Sequence, residues 1–212
     1  MQREPDLACE RRAWEQGHRL MVGIDEAGRG AWAGPVVAAA VILPAPQDDL
    51  LVRLGEVRDS KLLSPAQREH CYETICEVAV ALGVGSVDAT GIDRLGILPA
   101  TRAAMMQAVA ALKLDPDYYL VDAVHLPVAA PQRNLIKGDR LCLSIAAASI
   151  IAKVTRDRWM VAYDADWPLF GLGRHKGYGT PEHRRALHAF GPTPLHRYSY
   201  EPVRQVAEGN HA

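Results

Sequence analysis

Apolar runs in this chain end abruptly, and several end in carboxylates. Leu20 to Ile24 leads straight into Asp25 and Glu26, and Gly28, Gly30 and Gly34 follow at once, with Arg29 between the first two. A second apolar run spans Pro35 to Leu43. The pattern predicts a buried strand, a tight glycine loop and a returning strand. Gln47 to Arg58 reads as a turn and a short third strand. Ser64-Pro65-Ala66-Gln67 has the form of a capping box with proline at the first helical position, opening a helix to about Leu82. Gly83 to Asp88 reads as a strand, and Thr101 to Leu112 as a helix that could begin as early as Gly91. Tyr118 to Asp122 reads as a buried parallel strand that again closes on a carboxylate. Asn134 to Asp139 repeats the arrangement with a short apolar run, a glycine and an aspartate. Ser144 to Ala165 is a long helix carrying Lys153, Arg156 and Arg158. Gly171 to Gly179 is a loop rich in Gly, His and Lys, and Thr180-Pro181 starts a helix that ends near Gly191-Pro192. Met1 to His18 is a loose or helical lead-in.

Asp25/Glu26, Asp122 and Asp139 therefore lie at or near the ends of three separate apolar runs. In an open α/β sheet the ligand site lies just beyond such strand ends. Successive strand side chains point to opposite faces, so Asp25 and Glu26 reach one centre only if the strand ends or kinks there. Buried charges of one sign are costly unless paired or metal-bound. Two other readings of the first stretch stand beside this one. The glycines could form a plain turn with solvated carboxylates at its rim. Gly28-x-Gly30-x-x-x-Gly34 also grazes the dinucleotide fingerprint. That fingerprint should open a helix, whereas Pro35 to Leu43 reads as a strand, and Asp25 and Glu26 would repel a pyrophosphate.

Composition narrows the field. The chain has 212 residues, 49% of them hydrophobic, enough for one domain with a sizeable core. It has no apolar stretch of the roughly 20 residues a membrane span needs, and its N-terminus lacks the apolar region of a signal peptide. Cys9, Cys71, Cys76 and Cys142 form no C-x-x-C pair and read as free thiols of a cytoplasmic protein. Net charge is only −1, but residues 1–132 balance to −6 and residues 133–204 to +6. That asymmetry suggests an acidic centre beside a basic surface.

A cluster of four carboxylates needs compensation. Oxygen ligands without Cys/His spacing suit Mg²⁺ or Mn²⁺, and two such ions about 3.5–4 Å apart support in-line displacement at phosphorus. Basic residues in the second half would hold phosphates, giving position and affinity rather than sequence specificity. Asp157 stands four residues after Lys153 and reads as an ordinary helix ion pair. His175 and His183 do not match a zinc spacing and read as exposed or phosphate-facing. Trp32, Met105 and Met106 read as packing.

An ordered set of motifs then carries a resemblance. Asp25-Glu-Ala-Gly-Arg-Gly30, Asp59-Ser-Lys61 with Leu63-Ser-Pro65, Leu120-Val-Asp122 and Lys137-Gly-Asp139 resemble the signature of the type 2 ribonucleases H, the bacterial ribonuclease HII family. The likeness continues through Ala147-Ala-Ser-Ile-Ile-Ala-Lys-Val-Thr-Arg-Asp157, His175-Lys-Gly-Tyr178, Gly191-Pro-Thr193, His196-Arg197 and Glu201-Pro-Val203. It covers about residues 20–204. It implies an α/β RNase H-like fold: a mixed five-stranded sheet flanked by helices, with a C-terminal helical portion. The expected division is a lead-in (1–18), a catalytic domain (19–204) and a tail (205–212).

The resemblance further implies a metal-dependent endoribonuclease. It would cleave the RNA strand of RNA–DNA hybrids and incise at single ribonucleotides embedded in duplex DNA, leaving 3′-hydroxyl and 5′-phosphate ends. Asp25, Glu26 and Asp122 match the metal ligands and Asp139 the fourth catalytic carboxylate, with Mn²⁺ or Mg²⁺ as cofactor, two ions when substrate is bound. Gly28, Arg29 and Gly30 match the loop that senses the ribose 2′-hydroxyl, and Tyr178 the tyrosine that packs on the next sugar. Ser60 and Lys61 match a segment near the nucleic-acid backbone, and Lys176 is expected to contact phosphate. Ala123-Val-His125 departs from the glycine that usually follows the strand-end aspartate. No clamp-recruitment motif and no obligate protein partner are inferred, and a monomer is expected. The competing readings are a non-catalytic hybrid-binding protein and a DNA nuclease of the same broad fold.

Overall fold

A computed structural model describes residues 4–45 and 49–209 of the chain. Helix α1 (Ala8–Glu15) leads into β1 (Met21–Ala27) and β2 (Val36–Ile42), then α2 (Leu50–Arg53), α3 (Pro65–Val78) and β3 (Ala81–Val87). Helices α4 (Ala89–Leu95) and α5 (Ile97–Ala111) precede β4 (Tyr118–Asp122) and β5 (Gln132–Leu135). Helices α6 (Leu143–Asp166), α7 (Leu172–His175), α8 (Pro181–Phe190) and α9 (Glu201–Gly209) complete the chain. The sheet order is β3-β2-β1-β4-β5; β1, β2 and β3 are antiparallel neighbours, while β4 and β5 run parallel to β1.

Strand alternation sorts the core into two layers. Val22 and Ile24 of β1 and Ala38 and Ala40 of β2 face α5, which meets them with Ala104 and Ala108. Met21, Ala39 and Val41 face α6, where Ala147, Ile150, Ile151 and Val154 cover them with help from α1 and α3. Helix α6 can cross β1 closely because Gly23 has no side chain; a Cβ there would stand 2.2 Å from the Ser144 carbonyl carbon. The lead-in contributes to this layer. Leu7, Ala13 and Trp14 are buried, and Glu10, 1% exposed, accepts from the Ser144 N–H and hydroxyl at 2.8 and 2.7 Å.

Several boundaries differ from those the sequence predicts. Residues 50–53 are one helical turn, not a strand: Leu50 and Leu54, four residues apart, are both buried, which is a helical spacing. The turn expected at Gln47 lies outside the described residues. The capping box opens α3 as expected, but the helix stops at Val78, because Ala81 and Leu82 pair with Ile42 and Val41 in β3. One helix was expected up to Leu112, and Gly96 at φ +81° divides it in two. Residues 205–209, assigned to a tail, continue α9.

Candidate active site

The sheet register places the first carboxylates. Parallel pairing of β1 with β4 ends at Ile24–Val121, so Asp25 and Asp122 are the next residues on neighbouring strands. Both have the parity that faces α6. Glu26 has the opposite parity, yet it lines the same cleft. The strand neither ends nor kinks at Asp25, as the sequence reading required. It continues to Ala27 against β2, and only its other neighbour stops. Glu26 is thus left without a β4 backbone beside it.

The cleft has a volume of about 230 Å³, and its lining includes Asp25, Glu26, Asp122, the 28–30 loop, Ser60, Lys61 and Tyr178. The side chain of Asp25 is buried, accepting from the Glu26 N–H at 2.7 Å. Burial pushes its carboxyl well above the usual carboxylate range, and Glu26 and Asp122 add repulsion. Burial also raises Glu26, although Arg29 opposes this with a 3.2 Å contact to Oε1. The other oxygen, Glu26 Oε2, is buried with no hydrogen-bond partner. Asp122 Oδ1 accepts from the Gly138 N–H at 2.7 Å, which ties β4 to the turn that carries Asp139.

Asp139 reaches the cleft through Lys61 and adds to the repulsion on Asp25. It stands on the Gly138–Arg140 turn, 4% exposed, with its carboxyl raised by burial and by Asp59. Lys61 Nζ bridges the two, 3.5 Å from Asp139 and 3.8 Å from Asp59. Burial works against that ammonium, but Asp139, Asp59 and Asp25 together hold it above its usual range. Asp59 also accepts from the Lys61 N–H and from Arg140, so it anchors the segment beside the cleft. Ser60 turns inward to Ser149 of α6, with the hydroxyls 2.9 Å apart.

The glycine loop is held from beneath by two buried arginines. Arg197 donates to the carbonyls of Gly28, Arg29 and Gly34 at 2.7–3.0 Å. Arg156 donates to those of Ala33, Pro35 and Lys176 at 2.9–3.1 Å. Both are 0% exposed, and burial lowers the Arg156 guanidinium to about 10. The N–H groups of residues 31–34 bond to the carbonyls of Gly28, Gly177 and Leu195, so the outer face is left to the N–H groups of residues 28–30 and the Arg29 side chain. The sequence reading placed Arg156 on its helix without a role and Arg197 only within a motif. A signal was available: Ala152, Arg156 and Met160 fall at helical spacing, and all three are buried.

A second, larger concavity of about 580 Å³ adjoins the cleft and shares Lys153 and Tyr178 with it. Its walls carry Arg158 and Arg174 from the basic second half and Arg68 from the first. Lys176 lies in this groove rather than in the acidic cleft, with its ammonium folded onto the Gly173 carbonyl. Lys153 pairs with Asp157 at 2.7 Å, as its helical spacing predicts. Trp32 is packed, as expected, against the Tyr178 loop and under Arg184. Met105 is buried and Met106 is packed against the same core.

The donor set suits a hard divalent cation. Asp25, Glu26 and Asp122 offer only oxygens, and the orphaned Glu26 Oε2 is a buried acceptor awaiting a positive partner. Among the described residues, no three His, Cys, Asp or Glu side chains form a ready-made cage, so the carboxylates make an open acidic cleft.

An RNase H-like sheet with carboxylates converging at its central strand ends, beside a basic groove, defines a metal-dependent nuclease. The family model described as Ribonuclease HII matches residues 22–203. A ribonuclease HII of Chloroflexus aggregans is 50% identical over 205 residues, covering 96% of this chain and 97% of that protein. The crystal structure of ribonuclease H2 from Pyrococcus horikoshii superimposes with TM-score 0.76 at 27% identity, covering 90% of this chain and 98% of the other. Bst-RNase HIII in complex with Mn²⁺ shares the fold at TM-score 0.69 and 22% identity, covering 92% of this chain and 71% of the other. The chain belongs to the ribonuclease HII family. It is accordingly an endoribonuclease of the ribonuclease H class, a metal-dependent hydrolase acting on RNA–DNA hybrids.

Proposed function

We propose that this cleft incises both RNA–DNA hybrids and duplex DNA carrying a single ribonucleotide, with Asp25, Glu26 and Asp122 holding Mn²⁺ or Mg²⁺. The observation that carries the proposal is one cleft lined at once by these carboxylates, the Gly28–Arg29–Gly30 loop and Tyr178. Two bound ions would supply an activated water and stabilisation of the leaving oxygen, giving 3′-hydroxyl and 5′-phosphate ends. The protein's own residues do the rest. Asp139, held by Lys61, adds negative charge beside Asp122. The N–H groups of residues 31–34 donate within the fold, which leaves those of Gly28, Arg29 and Gly30, with their glycine surfaces, to approach a ribose 2′-hydroxyl, the group that distinguishes RNA from DNA. A site built to bond that hydroxyl discriminates strongly, because its polar groups go unpaired when the hydroxyl is missing.

Tyr178 offers a ring 37% exposed over the cleft, suited to packing on the sugar that follows the junction. Lys61 at the cleft and Lys176 in the adjoining groove supply phosphate contacts. No helix among the described residues is long and apolar enough to cross a membrane. We place the enzyme in the cytoplasm, where such nucleic acids arise. The test is incubation with a duplex bearing one ribonucleotide, with and without Mg²⁺ or Mn²⁺, beside an all-DNA control. Cleavage only with ion and 2′-hydroxyl is expected. Cutting of the all-DNA duplex would favour a DNA nuclease, and binding without cutting would favour a hybrid-binding protein. Tyr178→Ala should lose cleavage at one embedded ribonucleotide more than in a full hybrid, and Tyr178→Phe should lose less. Equal loss on both substrates would remove the junction-reading role.

A further inference from the structure

Three histidines form a file beneath the Tyr178 loop. The rings of His175 and His183 are stacked, with centroids 4.4 Å apart and planes 16° apart. His183 Nε2 lies 3.0 Å from His196 Nε2. His183 and His196 are 0% and 1% exposed. Nitrogens buried this deeply are costly unless bonded, so apolar side chains would be the ordinary choice for filling such a space.

The direction of the hydrogen bonds can be assigned from the two ends, which are backbone groups of fixed sense. The Thr193 N–H can only donate, and it lies 3.0 Å from His196 Nδ1; the Thr193 hydroxyl, which can donate as well as accept, lies 2.9 Å from the same nitrogen. That nitrogen therefore accepts, and the neutral ring carries its proton on Nε2. The proton points at His183 Nε2, which must be bare, so His183 carries its own proton on Nδ1. His183 Nδ1 lies 3.0 Å from the Tyr178 carbonyl oxygen, which can only accept. The count closes with one proton per ring and every nitrogen used. His175 is fixed in the same way: the Gly177 N–H donates to Nδ1 at 3.2 Å, leaving Nε2–H for the Phe170 carbonyl at 2.7 Å.

Tyr178 stands between Gly177 and Gly179; its N–H donates to the His175 carbonyl at 3.0 Å, and its carbonyl accepts from the Thr180 N–H at 2.8 Å as well as from His183. We propose that His183 and His196 are positioning residues for Tyr178: a one-way relay from Thr193 that gives the Tyr178 carbonyl a second donor beside the Thr180 N–H and so aims the ring over the cleft. This rests on the reading of Tyr178 as the residue that meets the sugar after the junction.

Two near-isosteric substitutions separate this role from core filling. His183→Asn keeps an amide nitrogen where Nδ1 stands and can still donate to Tyr178. His183→Gln places its amide nearer the Nε2 position, keeps contact with His196 and loses the bond to Tyr178. The assay is kcat and KM on one embedded ribonucleotide and on a full hybrid. His183→Gln should lower kcat on the single ribonucleotide by about ten- to a hundredfold, with a smaller loss on the hybrid. His183→Asn should retain most of the selectivity, and His183→Gln should add no further loss of selectivity to Tyr178→Ala. Equal losses from both variants on both substrates would overturn the relay, as would additive losses in the Tyr178→Ala background. If Tyr178→Ala itself shows no preference between substrates, the reading of Tyr178 fails, whatever the histidine variants do. Nitrogen chemical shifts of the wild-type imidazoles give a check that needs no variant: Nδ1–H at His183 and Nε2–H at His196 are expected, and the reverse tautomer at either overturns the proposal.

Discussion

Gly28→Ala is the sharpest probe of the loop and its cradle. Gly28 has φ +91°, in the half of backbone space that L side chains avoid. A Cβ there would stand 2.0 Å from Arg156 Nε, 2.6 Å from Cδ and 2.7 Å from Cζ. The guanidinium cannot swing away without releasing the carbonyls of Ala33, Pro35 and Lys176. The backbone conformation should cost about 1–2 kcal/mol, and forcing a methyl into a filled space about 1–3 kcal/mol more. Together these give roughly 2–5 kcal/mol, or a melting temperature lower by roughly 4–20 °C for a chain of this length. Gly30 is the internal control, because a Cβ there meets nothing within 4 Å. Gly30→Ala should leave stability within about 0.5 kcal/mol of wild type, as surface changes usually do. Its methyl should nevertheless stand in the space a ribose needs, so cleavage should fall without loss of fold. The assay is calorimetric melting without divalent ion, paired with cleavage of a duplex bearing one ribonucleotide. A Gly28→Ala protein melting within about 2 °C of wild type would refute the rigid cradle, since on the scale above that is under about 1 kcal/mol. Wild-type kcat and KM in Gly30→Ala would remove the loop from the substrate face.

Asp25→Asn should abolish most cleavage yet leave the metal-free protein at least as stable as wild type, read as melting temperature. The sign follows from a folded carboxyl raised by burial: its contribution is fully present at low pH and lost as pH rises through the folded pKa, so the ionised group is a burden at neutrality. Asp122→Asn should likewise abolish most cleavage, and near-normal turnover in either variant would remove that residue from the ligand set. Mg²⁺ or Mn²⁺ should raise the melting temperature of wild type and do so less in Asp25→Asn, by mass action on the folded state; an equal rise in both would deny Asp25 a ligand's place. Hybrid affinity, titrated in Ca²⁺ to suppress cleavage, should fall steeply with salt, and Lys61→Ala and Lys176→Ala should each flatten the slope; a salt-independent dissociation constant would contradict the phosphate contacts. Burial lowers His183 and His196 to about 4 each, so their contribution to stability should be full above the unfolded value near 6.5 and lost as pH falls toward 4. Urea midpoints from pH 7 to 4 should show that loss, and His183→Asn should show less of it.

The sequence by itself marked Asp25 and Asp122, because an apolar run stops at each, although in the fold Asp122 closes β4 while β1 runs on past Asp25 to Ala27. It also determined the capped start of α3 and the long α6, which depend on local chemistry: Ser64 capping Gln67, and a long run without glycine or proline. The one-turn α2 and the early end of α3 were not legible. Short segments carry little periodicity, and the pairing of Leu82 with Val41 outweighs helical propensity only once β2 is in place. Nor could the chain alone show how Asp25 and Glu26 serve one cleft from opposite faces of a strand. That depends on β4 ending beside β1 while β2 continues, a matter of register between segments about a hundred residues apart. The buried Arg156 and Arg197 are the clearest case. In sequence they are two cations in a basic half. In the fold they spend their charge on carbonyls 121 to 169 residues away in the glycine loop. Residue type announces what a side chain can bond, but only the packed structure decides which unsatisfied backbone oxygens lie within its reach.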